Sequence, residues 1–204
     1  MPPTLMQQST DHRNEQLWKA LKKGDEKALS ELILLYADSL YSYGFLLCRN
    51  RETVEDCIQD LFLHLWQKRG ELADIVSVRT YLTAALRNRI TDAFRRIKGA
   101  LHEDLRDEDL ATESSPEQQL IESEVHSLET DLVKRSVEAL PARMKQAIYL
   151  RYYAGFGYQE IAQIMEVSQQ VAVNMVHRAV LKLRSASRHY SDWLSFSLLF
   201  FLFS

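Results

Sequence analysis

The chain has 204 residues, 46% of them hydrophobic and 26% charged, with a net charge of −3. That is enough sequence for one large or two small domains, and the scarcity of Gly and Pro favours a soluble, mainly helical protein. So small a net charge implies no bulk attraction to nucleic acid, and Cys48 and Cys57 show no CxxC or His/Cys spacing. Neither a disulfide framework nor a zinc site is expected, and a reducing, cytoplasmic setting is the default.

The opening "MPPTLMQQSTDHRNE" has no basic segment followed by an apolar run, so no secretory signal is expected, and residues 1–13 read as disordered. In "EQLWKALKKGDEKALSELILLYADSLYSYGFLLCRN" apolar residues recur at three and four, predicting two helices broken near Gly24-Asp25. "RETVEDCIQDLFLHLWQKRG" is a third helix with Gly70 as its stop. On it Val54, Ile58, Leu61 and Leu65 make an ordinary core stripe. Phe62, Leu63, Trp66 and Cys57 widen the apolar arc to roughly 240° at 100° per residue, more than docking on one domain requires. The excess is either wrapped by neighbouring helices or shown to a partner. Phe62 and Trp66 beside Asp56, Gln59 and Asp60 are the mixture of aromatic and polar groups that binds other proteins.

After "ELADIVSV" a fourth helix is predicted from Arg79 to Lys98. Leu82, Ala85, Leu86, Ile90, Ala93 and Ile97 share its core side, while Thr80, Ala84, Arg87, Asn88, Thr91 and Arg95 are expected on the opposite one. Arg89 and Arg96 fall at a margin. Six bases here face a single acid, Asp92, so the usual surface pairs cannot form. Arg beside small hydroxyl and amide side chains suits phosphates and base edges.

From Lys98 to Asp131 eleven acids stand against two bases, and "HEDLRDEDLATESSPEQQ" reads as a polar, aperiodic linker over residues 99–130. Pro116 can open a helix running towards Leu140, and Pro141 starts another, "ARMKQAIYLRYYAG". Gly155 and Gly157 end it. "YQEIAQIMEVSQQVAVNMVHRAVLKLR" then has the outline of a helix-turn-helix. Ile161, Ala162, Ile164, Met165 and Val167 hold the first helix to the second, and Ser168 is a good N-cap. Gln169, Gln170, Asn174 and His177 can reach base edges, and Val173 a thymine methyl, with Arg178, Lys182, Arg184 and Arg188 left for the backbone. The final stretch, residues 191–204, is intensely apolar, yet "WLSFSLLFFLFS" is shorter than the roughly 20 residues of a spanning helix. It either docks on a domain or partner or touches a membrane, and no stable transmembrane segment is expected.

Taken in order, "VEDCIQDLFLHLWQKR", "RTYLTAALRNRITDAFRR", "LPARMKQAIYLRYYAGFGYQEIAQIMEVS" and "HRAVLKLR" resemble the successive signatures of extracytoplasmic-function (ECF) sigma factors, bacterial RNA-polymerase subunits of the sigma-70 family. The resemblance runs from about Leu17 to Arg188. It implies an all-α fold with a region 2-like domain at 14–98 and a region 4-like helix-turn-helix domain at 131–190. It further implies that Asp56, Gln59, Asp60, Phe62, Leu63 and Trp66 meet core RNA polymerase. Arg79, Thr80, Arg87, Asn88, Thr91, Arg95 and Arg96, with the preceding loop near Glu71–Val78, would melt the promoter's −10 element and capture an unstacked base. The linker would follow the polymerase's RNA path. Ser168, Gln169, Gln170, Val173, Asn174, His177, Arg178 and Lys182 would read the −35 element, and an anti-sigma factor is an implied partner. Relatives usually carry Gly where this chain has Glu166, so a distorted or differently shaped turn is expected there.

The six histidines are scattered, and no phosphate loop, GxSxG or HExxH occurs. No catalytic residue, metal or cofactor is therefore expected. A helix-turn-helix regulator acting without polymerase is the alternative function. A helical adaptor using the apolar tail would leave the Arg-rich helix unexplained.

Overall fold

The computed structural model describes residues 5–99 and 136–186. Residues 1–4, the linker beyond Gly99, the helix start at Pro116 and the apolar tail 191–204 lie outside the described residues. The chain divides into two compact units, Met1–Glu103 and Asp104–Ser204. Every regular element among the described residues is helical.

In the first unit α1 runs Leu5–Lys22. It corrects the expectation of disorder up to residue 13. Between Pro3 and Gly24 no residue stops a helix, so a polar composition read as disorder continues the helical run instead. Gly24 takes a positive φ of 89°, a conformation favouring glycine, and the chain reverses there. Asp25 then caps α2 (Glu26–Cys48), its Oδ1 accepting from the backbone N–H of Lys27 at 2.9 Å. Asn50 caps α3 (Arg51–Gln67) in the same way, accepting from Thr53 N–H at 2.9 Å. A 3₁₀ turn over Arg69–Glu71 takes in Gly70, three residues past the helix end.

The last helix of this unit, α4 (Val78–Gly99), packs against α1, α2 and α3. Three neighbours bury a much wider arc than one would. Val78, Leu82, Leu86 and Ile90 are buried, and so are Thr80, Thr83 and Arg87. Trp18, Leu21, Leu32, Leu40, Leu61 and Leu65 complete the core, each contributing about 1.5–3 kcal/mol through burial of its side chain.

In the second unit a helical turn at 136–138 leads to Pro141 and α5 (Ala142–Ile148), which continues into a π-helical turn, Tyr149–Tyr153. Ala154 N–H donates to Tyr149 O at 2.9 Å, the wider ring of a π turn. Gly155, at φ +71°, lets the chain leave it. Then follow α6 (Tyr158–Met165) and α7 (Gln169–Ala186), with α7 packed on both α5 and α6. Val137, Leu140, Ile148 and Ala179 form one core cluster, with Met144, Val180 and Leu183 against it.

Candidate partner-binding and nucleic-acid interfaces

Two α3 side chains of the proposed partner surface divide sharply. Phe62 is 5% exposed, whereas Leu63, one residue on, is 51% exposed. The step of 100° carries Leu63 out of the α2–α3 contact and leaves Phe62 in it. Phe62 is therefore a largely buried wall rather than a projecting anchor. Asp56, Gln59 and Asp60 are exposed and Trp66 is half-buried.

Between α2 and α3 lies an apolar groove. Ile33, Ala37 and Tyr41 of α2 line one side, and Ile58, Phe62 and Trp66 of α3 the other, with Asp38, Glu55 and Gln59 among its polar groups. The α2 side escaped the sequence reading. Its signal is Leu29, Ile33, Ala37 and Tyr41 at intervals of four, one residue after the core stripe Ala28, Leu32, Tyr36 and Leu40. Beside it Leu34 stands 81% exposed, an apolar residue with no role in the unit's own core. The Arg69 guanidinium lies 4.4 Å from the centre of the Trp66 ring and donates to Trp66 O at 2.7 Å, fixing the indole's orientation.

On α4 the expected nucleic-acid face is narrower than the periodicity implied. Asn88, Asp92, Arg95 and Arg96 are exposed, and Arg79, Arg89 and Thr91 are half-buried. Thr80 and Arg87 are not on this face. Arg87 is 6% exposed, its NH1 lying 3.5 Å from Asn88 Oδ1, and the Thr80 hydroxyl donates to Ser77 Oγ at 3.0 Å. Periodicity alone puts both opposite the most apolar side, but three helices pack around α4 and cover them. Arg95 pairs with Asp92 at 3.5 Å. This exposed pair is worth well under 1 kcal/mol and would yield readily to a phosphate.

The second unit brings its predicted reading residues together. Ser168, Gln169, Gln170, Asn174, His177, Arg178 and Lys182 are all exposed on or beside α7, and Val173 is half-buried. Ser168 Oγ accepts from Val171 N–H at 3.3 Å, as its N-cap role requires. Gln170 donates to Asn174 at 3.1 Å, so the two amides form one polar unit on the helix surface. Val171, exposed on α7, is an addition to these residues.

The turn before α7 is not distorted. Glu166 adopts φ 54°, ψ 50°; its N–H donates to Gln163 O, and Val167 N–H to Ala162 O at 3.0 Å. These two bonds make a regular Schellman closure with a side chain on the left-handed residue. At the other end of α6, Glu160 accepts from Gly157 N–H at 2.8 Å, half of a capping box.

Residues 32–100 match the family model of Sigma-70 region 2, and residues 130–183 that of Sigma-70, region 4. Together they cover more than half of the chain. The chain belongs to the sigma-70 family. Within it this sigma factor is an ECF member. It is similar to the ECF RNA polymerase sigma-E factor of Haemophilus influenzae, 27% identical over 187 residues, which span 86% of this chain and 94% of that one. It is also similar to the ECF sigma factor SigW of Bacillus subtilis, 24% identical over 83% of this chain and 94% of the relative. The sigma factor RpoE of Bartonella quintana, solved in complex with the anti-sigma factor NepR, shares the fold. Its TM-score is 0.61 at 22% identity, over 81% of this chain and 99% of that one. CnrH, solved with the cytosolic domain of CnrY, matches at a TM-score of 0.59 and 18% identity, over 87% and 99%. This sigma factor is a non-enzymatic initiation factor that directs promoter recognition and the start of transcription. Among the described residues no helix is long and apolar enough to cross a membrane.

Proposed function

We propose that the α2–α3 groove is the sigma factor's seat on core RNA polymerase and that α4 and α7 are its two promoter-reading helices. The groove carries the reading: its apolar lining is left uncovered within its own unit, while Leu63, Trp66, Asp56, Gln59 and Asp60 stand around its α3 side. A clamp-like helix of polymerase would bury that lining, with hydrophobic contact supplying affinity and the carboxylates register.

Asn88, Thr91, Arg95 and Arg96, with Arg79, hold the −10 strand, and the loop before α4 takes an unstacked base. Melting needs no covalent step; the separated strand has only to be held more tightly than the duplex, by charge and stacking. Phe62, Thr80 and Arg87 support these surfaces from within. Gln169, Gln170, Asn174 and His177 of α7 read the −35 element, with Arg178 and Lys182 on phosphates. An α7 so poor in base-reading Arg does not act alone. Polymerase holds both units at one promoter and raises their effective concentration there. RpoE of Bartonella quintana was solved with the anti-sigma factor NepR, and CnrH with the cytosolic domain of CnrY, which supports a sequestering protein partner here. The working compartment is the cytoplasm, where polymerase and promoter meet.

Reconstituted run-off transcription with core polymerase on genomic fragments, with start sites mapped, is the direct test. Specific initiation is expected with core polymerase, and negligible promoter affinity for the chain without it. Tight, specific binding by residues 131–190 alone at moderate salt would contradict this reading.

A further inference from the structure

The connection between α3 and α4 is tied down along almost its whole length. Lys68 pairs with Glu71 at 3.1 Å, and Ser77 Oγ accepts from Thr80 N–H at 3.2 Å. Between these local ties come two from far away in sequence, both made by α1. Trp18 Nε1–H donates to Ala73 O at 3.2 Å, and Lys22 Nζ meets Asp74 Oδ1 at 2.5 Å. The Trp18 ring is buried and meets Tyr81 of α4 edge-on at 5.2 Å, so its indole N–H is fixed in direction. Lys22 holds the Asp74 carboxyl below the usual carboxylate range through that hydrogen bond. One large apolar side chain of the connection stands fully bare. Val76, two positions past Asp74, is 97% exposed.

An exposed valine contributes nothing to its own domain, and a free loop would lose conformational entropy on meeting DNA. The ties from α1 order the segment beforehand, which is how preorganisation turns contact into affinity. We infer that Trp18 and Lys22 are positioning residues for promoter opening, holding Ala73 and Asp74 so that Val76 is presented to the separated strand. This rests on the reading that the loop before α4 engages melted DNA, and adds to it a role for α1.

The test uses the full chain assembled with core polymerase, with permanganate reactivity of −10 thymines as the measure of opening and co-purification as the measure of assembly. Trp18→Phe removes the indole N–H together with part of the buried ring, whereas Lys22→Ala removes the charge and leaves the core packing in place. Each is expected to slow opening about three- to tenfold, the weight of one hydrogen bond or ion pair on a barrier, with assembly unchanged in both and the melting temperature unchanged in Lys22→Ala, the variant that spares the core. Exchanging the charges, Lys22→Asp with Asp74→Lys, is expected to restore most of the rate. The loop itself is tested by Val76→Gly. If that variant opens slowly while Trp18→Phe and Lys22→Ala open normally, the role of α1 falls and the loop reading stands. Normal opening by Val76→Gly removes the loop reading and the inference with it. Loss of assembly in the α1 variants, or of melting temperature in Lys22→Ala, makes the helix plain scaffold, and also overturns the inference.

Discussion

Gly44 of α2 lies so close to Val54 of α3 that a Cβ on the glycine would stand 2.8 Å from Val54 Cγ1 and 3.3 Å from Ile90 Cδ1. Val54 is fully buried, and its short branched side chain has no flexible end to swing aside. Gly44→Ala gains about 1 kcal/mol of helix propensity and loses about 1–3 kcal/mol to overpacking. A net loss is expected, read as a lower urea midpoint at unchanged slope.

Phe62 and Leu63 should separate stability from binding. Phe62→Ala opens a cavity in the core and is expected to cost about 3–5 kcal/mol. Leu63→Ala, on the exposed side, should change stability by no more than about 0.5 kcal/mol. It should weaken polymerase capture by about 1 kcal/mol or more, about fivefold in affinity. Thermal unfolding and a titration with core polymerase on the same samples check both halves.

A parallel contrast exists on α4. Arg87→Ala removes a buried side chain whose stem is packed among helices, and a loss of about 1–3 kcal/mol in stability is expected. Arg95→Ala should leave the melting temperature in place. Promoter binding by the holoenzyme would instead lose about 0.7–0.9 from its slope of log affinity against log salt, the mark of one phosphate contact.

Glu166→Gly should stabilise the second unit. Relief of a left-handed non-glycine residue returns about 1–2 kcal/mol, and the greater freedom of glycine in the unfolded chain takes back about 0.4–1 kcal/mol. A net gain is expected, measured as a rise in the melting temperature of the full chain's second transition. Run-off activity should not fall, since the two Schellman bonds are made by the backbone.

The two thiols give a pH dependence. Burial raises Cys57 above the ordinary thiol range, assisted by the neighbouring Cys48 and Asp60, and burial raises Cys48 against a partial offset from a backbone hydrogen bond at Asn50. A group whose folded value is raised binds its proton more tightly when folded. Its stabilising effect is complete below the unfolded value and is lost as pH rises above about 8.5. Alkylation of both thiols in the folded chain should therefore lag behind the unfolded chain at pH 8–9, with Cys57 the slower. Equal rates for folded and unfolded protein would contradict the shift.

Much of this protein is written in local chemistry. The α1–α2 break follows from Gly24 and Asp25, the start of α5 from Pro141, and the cap of α7 from Ser168, because each choice involves only neighbouring backbone. The exposed face of α7 was equally legible, since α5 and α6 leave one side of the helix open and its apolar periodicity marks the other. What needed the tertiary structure was the number of neighbours. Periodicity tells which side of α4 is most apolar, but only the packing of α1, α2 and α3 around it decides that Thr80 and Arg87 go inside. The groove needed it as well, because half of its wall comes from α2 and half from α3. So did the ties from Trp18 and Lys22 to a loop more than fifty residues away. Local rules act through a few bonds along the chain, whereas burial and long-range pairing depend on which surfaces meet.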